Sequence, residues 1–141
     1  HHTLGDAAGE WKADLTQRLT AARLRLGWSF NADVEVPLSV GQWSGLTRIL
    51  RELVSNAIAH AEASRVEVSL QLERGVLTLR VADDGRGGDP QAWSHGLGLG
   101  GVRKRVRGLG GSVHWAPSSR GTGIVCTVQL PVRPPTPGIN A

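Results

Sequence analysis

The segment RVEVSLQLERGVLTLRVADDGRGG (residues 65–88) contains two runs of alternating apolar and polar residues that meet at a short, glycine-containing loop. Alternation with a period of two is typical of strands with one buried face, so residues 65–72 and 76–82 are predicted to be strands. Residues 73–75 have the length and the glycine of a hairpin loop. The segment is therefore predicted to form an antiparallel hairpin.

The cluster DDGRGG (residues 83–88) places carboxylates and glycines at the C-terminal end of the second predicted strand. Glycines tolerate positive φ and let a ligand approach the backbone closely, and a carboxylate there could accept a hydrogen bond from an exocyclic amine. Asp-Gly pairs are also common in ordinary turns. The cluster alone thus fits either a ligand site or a turn.

Upstream of the hairpin, apolar periodicity predicts two helices separated by a strand. The first helix is expected over residues 8–26, the strand over residues 27–36, and the second helix from about Ser39 to residue 61. Ser39 followed three residues later by Gln42 is a capping-box signature, which marks the start of the second helix.

A polar stripe runs along this second predicted helix. Glu52, Asn56 and His60 recur at a spacing of four, so they lie on one side of the helix beside its apolar face. Carboxylate and amide oxygens are ligands that suit magnesium. The same pattern is also what an ordinary solvated helix face presents.

The stretch HGLGLGG (residues 95–101) precedes a basic helix predicted over residues 101–109. It formally contains G-x-G-x-x-G, but a dinucleotide site needs a strand directly before it and an acid about 20 residues later, and neither is present. Backbone N–H groups at the start of a helix can still bind phosphate, and the basic residues add positive potential. Two further strands are expected over residues 112–116 and 124–130.

Charge and composition narrow the classes of partner. All 12 acidic residues lie at or before Asp89, whereas residues 90–141 contain six basic residues and no acidic one. This acid-free C-terminal segment indicates an anionic partner, either nucleotide phosphates or nucleic acid. The single cysteine, Cys126, excludes an internal disulfide and a cysteine-rich zinc site. No apolar run reaches the roughly 18 residues of a membrane span. We expect a cytoplasmic protein, with or without a membrane anchor elsewhere in its parent.

The order of the motifs is more specific than any one of them. Together they resemble the ATP-binding domain of sensor histidine kinases, and most of all the subfamily of nitrate/nitrite-type and DesK-like sensors. The motifs that carry the resemblance are ELVSNAIAHA (52–61), DDGRG (83–87), HGLGLGGVRKRV (95–106) and GTG (121–123).

The resemblance covers roughly residues 27–132 and implies a fold. That fold is a Bergerat-type two-layer α/β sandwich, in which a mixed β-sheet carries helices on one face. Residues 1–26 are then expected to be a tag remnant and a connecting helix, and residues 133–141 a disordered tail.

The resemblance also implies a role for each matching residue. Asn56 is expected to hold magnesium on the triphosphate, and Glu52 to serve as proton acceptor near the transfer path. Asp83, the first residue of D-x-G-x-G, is expected to bind the adenine amino group. Thr122 is expected near the adenine, and residues 88–95 to form the ATP lid. The other nucleotide-binding positions implied by the N box and the glycine-rich turns are His60, Gly85, Gly87, Gly96, Leu97, Gly98 and Leu99.

ATP and Mg²⁺ are the implied cofactors, and the implied reaction transfers the γ-phosphoryl group to a histidine. The family's phosphoacceptor histidine is followed directly by an acid, whereas His60, His95 and His114 precede Ala, Gly and Trp. The acceptor is therefore expected on a separate dimerisation module, with a response regulator downstream. This chain by itself is expected to be monomeric and unable to phosphorylate itself.

Three alternatives stand beside this interpretation. Anti-sigma-factor kinases phosphorylate serine with similar motifs, although the "HA" and "GLGG" details favour the histidine kinase. A nonenzymatic nucleotide-binding or protein-docking module of the same fold stays open, because Ala59 stands where the family often has a basic residue and Gly88 where a bulky apolar one is usual. A nucleic-acid binder would use the basic helix, but no recognised reading motif accompanies it.

Overall fold

A computed structural model describes residues 2–60, 62–86, 99–118 and 122–132. No helix in this described part of the chain has the length and apolar character needed to span a membrane. The elements, in chain order, are β1 (His2–Thr3), α1 (Leu4–Ala21), β2 (Arg25–Ala32), β3 (Pro37–Leu38), α2 (Val40–His60), β4 (Arg65–Glu73), β5 (Val76–Asp83), α3 (Leu99–Gly108), β6 (Ser112–Pro117) and β7 (Ile124–Pro131).

The main sheet has five strands in the order β2-β4-β5-β7-β6. β2 pairs with β4 in parallel, whereas the other three pairs are antiparallel, so the sheet is mixed. β4 and β5 form the predicted hairpin, with Arg74 and Gly75 in its turn at φ angles of 52° and 79°. A separate two-stranded ribbon joins β1 to β3.

One face of the sheet packs against the three helices and forms the hydrophobic core. Val66, Val68, Leu70 and Leu72 of β4 are buried there, together with apolar residues of α1, α2 and α3. The predicted α/β fold, a mixed sheet with helices on one face, is therefore confirmed.

The opposite face, which we call the helix-free face, is polar. One row of neighbouring residues across all five strands contains three hydroxyl side chains, one arginine and one imidazole. Small and polar side chains of this kind suit contact with water rather than a second apolar layer. In sheet order the row is Ser29, Ser69, Arg80, Thr127 and His114.

The first helix begins and ends earlier than the predicted range of residues 8–26. Thr3 caps its start, since its side-chain oxygen accepts a hydrogen bond from the Asp6 N–H at 3.2 Å. Arg23 ends it by adopting a left-handed φ of 63°, and the Leu24 N–H then donates to the Leu19 carbonyl at 2.8 Å, as in a Schellman motif. Helical periodicity persists past this point, but the backbone leaves the helix.

The strand predicted over residues 27–36 was also placed too late. β2 begins at Arg25, directly after the turn, and ends at Ala32. The Asp33 N–H still donates to the Leu72 carbonyl at 3.0 Å, and the chain then turns towards β3. The two ends of β2 therefore coincide with its pairing to Arg65–Leu72 of β4.

The first helix belongs to the same core as the sheet. Its buried face consists of Leu4, Ala7, Ala8, Trp11, Leu15 and Leu19. The Trp11 Nε1–H donates to the Thr47 hydroxyl of α2 at 2.8 Å. At the surface, Asp14 accepts from Arg51 at 3.1 Å, which joins the two helices again.

The predicted capping box at the start of α2 is present. The Gln42 N–H donates to Ser39 Oγ at 3.0 Å, and the Ser39 N–H donates to Gln42 Oε1 at 2.9 Å. These two bonds satisfy N–H groups that have no partner inside the helix.

Replacing Ser39 with alanine should lower the free energy of unfolding by about 1 kcal/mol, the usual cost of losing an N-cap. Urea denaturation of wild type and variant measures this difference. Ser55→Ala is the matched control, because Ser55 is exposed in the middle of the same helix. Its effect should stay within about 0.5 kcal/mol. Equal losses in both variants would mean that the cap does not stabilise α2.

Candidate functional site

Asp83 is the last residue of β5, and it lies half-buried between α2 and the start of β7. Its Oδ1 accepts a hydrogen bond from the Gly85 N–H at 2.9 Å, which forms a tight turn after the strand. Burial raises the pKa of Asp83 above its ordinary value, and the backbone N–H groups of Gly85 and Ile124 oppose that rise. The carboxylate is thus held in place and partly desolvated.

The neighbouring Asp84 has a different environment. Its carboxylate accepts bonds from the Ser64 hydroxyl at 2.6 Å, the Ser64 N–H at 2.8 Å and the Arg65 N–H at 2.9 Å. The bond from the Ser64 side chain is the main reason why the pKa of Asp84 is lowered. Asp84 therefore holds the turn to the start of β4, while Asp83 stays available to a ligand.

Residues at the start of β7 complete this turn. Gly123 has a φ of 106°, and a Cβ atom there would overlap the carbonyl oxygen of Asp83. Only glycine fits such a close backbone approach. The Thr122 hydroxyl donates to the Asp84 carbonyl at 3.2 Å. The structure thus places Thr122, which was expected near the adenine, at the aspartate turn, where its hydroxyl contacts the backbone.

α2 carries Glu52 and Asn56 on the side that faces α3 and the sheet. Glu52 Oε1 accepts a hydrogen bond from Arg105 Nη1 of α3. Glu52 Oε2 and Asn56 Nδ2 are both buried and have no hydrogen-bond partner in the part of the chain that the structure describes. Buried polar atoms without partners cost about 1–3 kcal/mol each, so such atoms mark a place where a ligand can supply the missing bonds.

A cavity of about 20 Å³ lies next to Asn56 and Asp83. It has room for about one water molecule. Trp115 forms one wall, and the Arg103 guanidinium lies 4.8 Å from the centre of the Trp115 ring. Cys126 also lines the cavity. Burial raises the pKa of its thiol to about 12, so this side chain is uncharged at neutral pH. The lining residues are Leu53, Asn56, Ala57, Val81, Asp83, Trp115, Ile124 and Cys126.

A larger cavity of about 520 Å³ lies on the helix-free face, where Ser29, Ser69 and Arg80 form part of its lining. Its volume favours it as a ligand site, but two of its three carboxylates already have partners within the protein. Asp83 and Thr122 line this cavity too, so Asp83 borders both cavities. The other two carboxylates are engaged, because Glu67 accepts from Arg65 at 3.1 Å and Asp84 accepts from Ser64 and Arg65. The smaller cavity, with its buried polar atoms without partners, is therefore the better candidate site.

Three more of the predicted site residues lie in the part of the chain that the structure describes. Gly85 is buried in the turn after Asp83. His60 is the last residue of α2 and Leu99 the first residue of α3. Other predicted positions lie outside the described residues: Gly87, Gly96, Leu97, Gly98 and the predicted lid, residues 88–95.

Two features of the site were not predicted from the sequence. The first is Trp115, which lies in a predicted strand and lines the cavity. The second is the Glu52–Arg105 pair, which joins residues that are 53 positions apart. The alternation of β6 would have placed Trp115 on the core face. No local signal could have identified the ion pair.

The described side chains do not form a complete magnesium site without a bound phosphate. Within the described residues there is no cluster of three or more His, Cys, Asp or Glu side chains that could hold a metal ion. Magnesium, however, keeps several waters and is bound by one or two protein oxygens together with substrate phosphates. The amide oxygen of Asn56 meets that smaller requirement.

Residues 41–134 match the protein family described as "Histidine kinase-, DNA gyrase B-, and HSP90-like ATPase". Among curated proteins, the chain is 31% identical over 131 residues to the sensor histidine kinase LiaS of Bacillus subtilis, covering 92% of this chain and 36% of LiaS. It is 33% identical over 135 residues to the sensor histidine kinase NarS of Mycobacterium tuberculosis, covering 92% of this chain and 30% of NarS. The chain thus spans about a third of the length of these relatives.

Solved structures show the same fold. The histidine kinase domain of the Erythrobacter litoralis EL346 blue-light activated histidine kinase superposes with a TM-score of 0.72 at 26% identity, over 89% of this chain and 61% of that one. The catalytic domain of histidine kinase ThkA gives a TM-score of 0.71 at 16% identity, over 95% of this chain and 96% of that one.

Proposed function

The chain belongs to the family of histidine kinase-, DNA gyrase B- and HSP90-like ATPases, and we propose that it is the ATP-binding catalytic domain of a sensor histidine kinase. It transfers the γ-phosphoryl group of ATP to a histidine on a separate dimerisation module, which then passes it to a response regulator. The observation that carries this proposal is the half-buried Asp83 carboxylate, which lines the same small cavity as Asn56 of α2, with Glu52 one helical turn before Asn56.

Adenine recognition falls to Asp83. Val81, Ile124 and Trp115 line the cavity beside Asp83, and their apolar or aromatic side chains suit a flat purine. A carboxylate accepts a hydrogen bond from the exocyclic amine of adenine, whereas guanine has at that position a carbonyl oxygen, which cannot donate. Since about 20 Å³ is too small for a purine, these side chains must move apart when the base enters.

Phosphate binding falls to the two helices. The N-terminal end of α3, which begins at Leu99, presents backbone N–H groups and the positive end of the helix dipole. Asn56 supplies an oxygen ligand for magnesium from α2. When bound, magnesium neutralises charge on the phosphates.

In the transfer step the acceptor imidazole attacks the γ-phosphorus. The new N–P bond forms as the bond to the β-phosphate oxygen breaks, and ADP leaves with that electron pair. The N–H proton of the imidazole passes to Glu52, whose Oε2 has no other partner among the described residues. The protein's contribution is mainly positioning and charge stabilisation.

Titration calorimetry of ATP with and without Mg²⁺, followed by transfer to an added acceptor module from a relative such as LiaS, tests the proposal. We expect ATP binding, and acid-labile label on the acceptor but not on this chain. Binding without transfer to any acceptor module would favour a nucleotide-sensing module. No binding by the folded protein would favour a docking module whose cavity stays closed.

A further inference from the structure

α2 and α3 lie side by side and antiparallel. Gly45 of α2 is close to Leu109, just after α3, while Glu52 lies close to Gly101 and Arg105 at the other end. A Cβ atom at Gly101 would be 3.5 Å from Arg105 Nη1 and 3.7 Å from Glu52 Oε2. The absence of a side chain at residue 101 therefore leaves space beside the carboxylate.

The two oxygens of Glu52 have unequal environments. Oε1 accepts the hydrogen bond from Arg105, and the two side chains are only 35% and 32% exposed, so the pair is partly shielded from water. Oε2 is buried and has no partner among the described residues. A guanidinium bound to one oxygen restricts the rotation of the carboxylate and so fixes the direction of the other oxygen.

Other arginines near this part of α2 do not share the contact. Arg51 donates to Asp14 of α1 at 3.1 Å. Arg48, one turn before Glu52, is exposed and has no ion pair with another described residue. Arg103, two residues before Arg105, lies over Trp115 on the other side of α3. Arg105 and Arg103 of α3 therefore contact different neighbours, Glu52 and Trp115.

We propose that Arg105 is a positioning residue for phosphoryl transfer: it holds Glu52 through Oε1 so that Oε2 is directed towards the incoming imidazole. This inference rests on the proposed function. Arg105 does not touch the reacting atoms. It acts through Glu52, which takes the proton while the bond from phosphorus to ADP breaks.

The test compares wild type with Arg105→Ala, Glu52→Gln and the double variant. Arg105→Ala should slow transfer to the acceptor module about tenfold at saturating ATP, as expected when part of a general base's contribution is lost, and should change the Kd for ATP less than about twofold. In the double variant, the arginine substitution should add little to the effect of Glu52→Gln, because interacting residues are not additive.

Two more variants keep the test decisive. Arg105→Lys retains a cation and should restore part of the rate, and it serves as the measured variant if Arg105→Ala does not fold. Arg48→Ala removes the same charge one turn from Glu52 and should leave the rate unchanged.

An unchanged or raised rate in Arg105→Ala would overturn the positioning role, and so would fully additive effects in the double variant. If wild type itself transfers nothing, the proposed function fails instead, so the two failures are distinguishable.

Discussion

Replacing Asn56 with alanine should lower magnesium-dependent phosphoryl transfer by about 100- to 1,000-fold. Loss of a metal ligand removes several kcal/mol of charge stabilisation, and each 1.36 kcal/mol corresponds to about tenfold in rate. Adenine binding should change far less, since Asp83 supplies that contact. The fold should lose little stability, because Nδ2 of Asn56 is buried without a partner among the described residues and its removal abolishes that cost.

Transfer rates measured over a range of Mg²⁺ concentrations, with ATP binding measured in EDTA, separate the two effects. Ser55→Ala is the matched control, since it alters the preceding residue of the same helix on its exposed side. It should leave both quantities at the wild-type value. If Asn56→Ala and Asp83→Asn gave equal and small effects, the assigned roles of both residues would be wrong.

Replacing Asp83 with asparagine should weaken ATP binding about 30- to 100-fold, both with and without magnesium. The change removes a hydrogen bond to a charged group, worth about 1.5–3 kcal/mol, and each 1.4 kcal/mol is about tenfold in Kd. It also presents an amide N–H₂ to the adenine amine when the other rotamer is populated, which pairs donor with donor. Calorimetry at neutral pH measures the loss.

Asp84→Asn is the natural control, because it makes the same chemical change one residue later. The carboxylate of Asp84 bonds Ser64 and Arg65 rather than facing the cavity. ATP affinity should therefore stay near that of wild type while stability falls. Equal losses of affinity in the two variants would mean that the turn as a whole, and not Asp83, recognises the base.

The pKa shifts predict opposite effects of pH on stability. The folded pKa of Asp84 lies below its unfolded value of 3.8, so its contribution is present above that value and is lost as pH falls towards the folded pKa. The folded pKa of Asp83 lies above 3.8, so its ionisation reduces stability as pH rises through the raised pKa. At neutral pH, Asp83→Asn should thus be at least as stable as wild type although it binds ATP poorly.

Much of this architecture could be predicted where the controlling interactions are local. The capping box of Ser39 and Gln42 and the hairpin of residues 65–83 rest on neighbours within a few positions, and both were predicted. The end of α1 was not, because Arg23 adopts a left-handed φ of 63° that residues other than glycine rarely take. Helical spacing alone continues past it.

Long-range pairings were less accessible. The parallel pairing of β2 with β4 joins Arg25 to Arg65, and no sequence pattern specifies such a register. In the site, Asn56 and Asp83, which the motifs single out separately, line one cavity. It could not show that Glu52 pairs with Arg105 or that Trp115 closes the wall, since both depend on how α3 packs between α2 and β6.

The position of β7 has a consequence for synthesis of the protein. It is the last described strand to leave the ribosome, yet it lies inside the sheet between β5 and β6. During translation the β4–β5 hairpin can form early, but the sheet cannot close until residues 124–131 have emerged. Ile124 and Cys126 of β7 also line the cavity beside Asp83 and Asn56. On the proposed function, a nascent chain cannot capture ATP in this cavity before β7 is inserted, and ATP binding then reports that the sheet has closed.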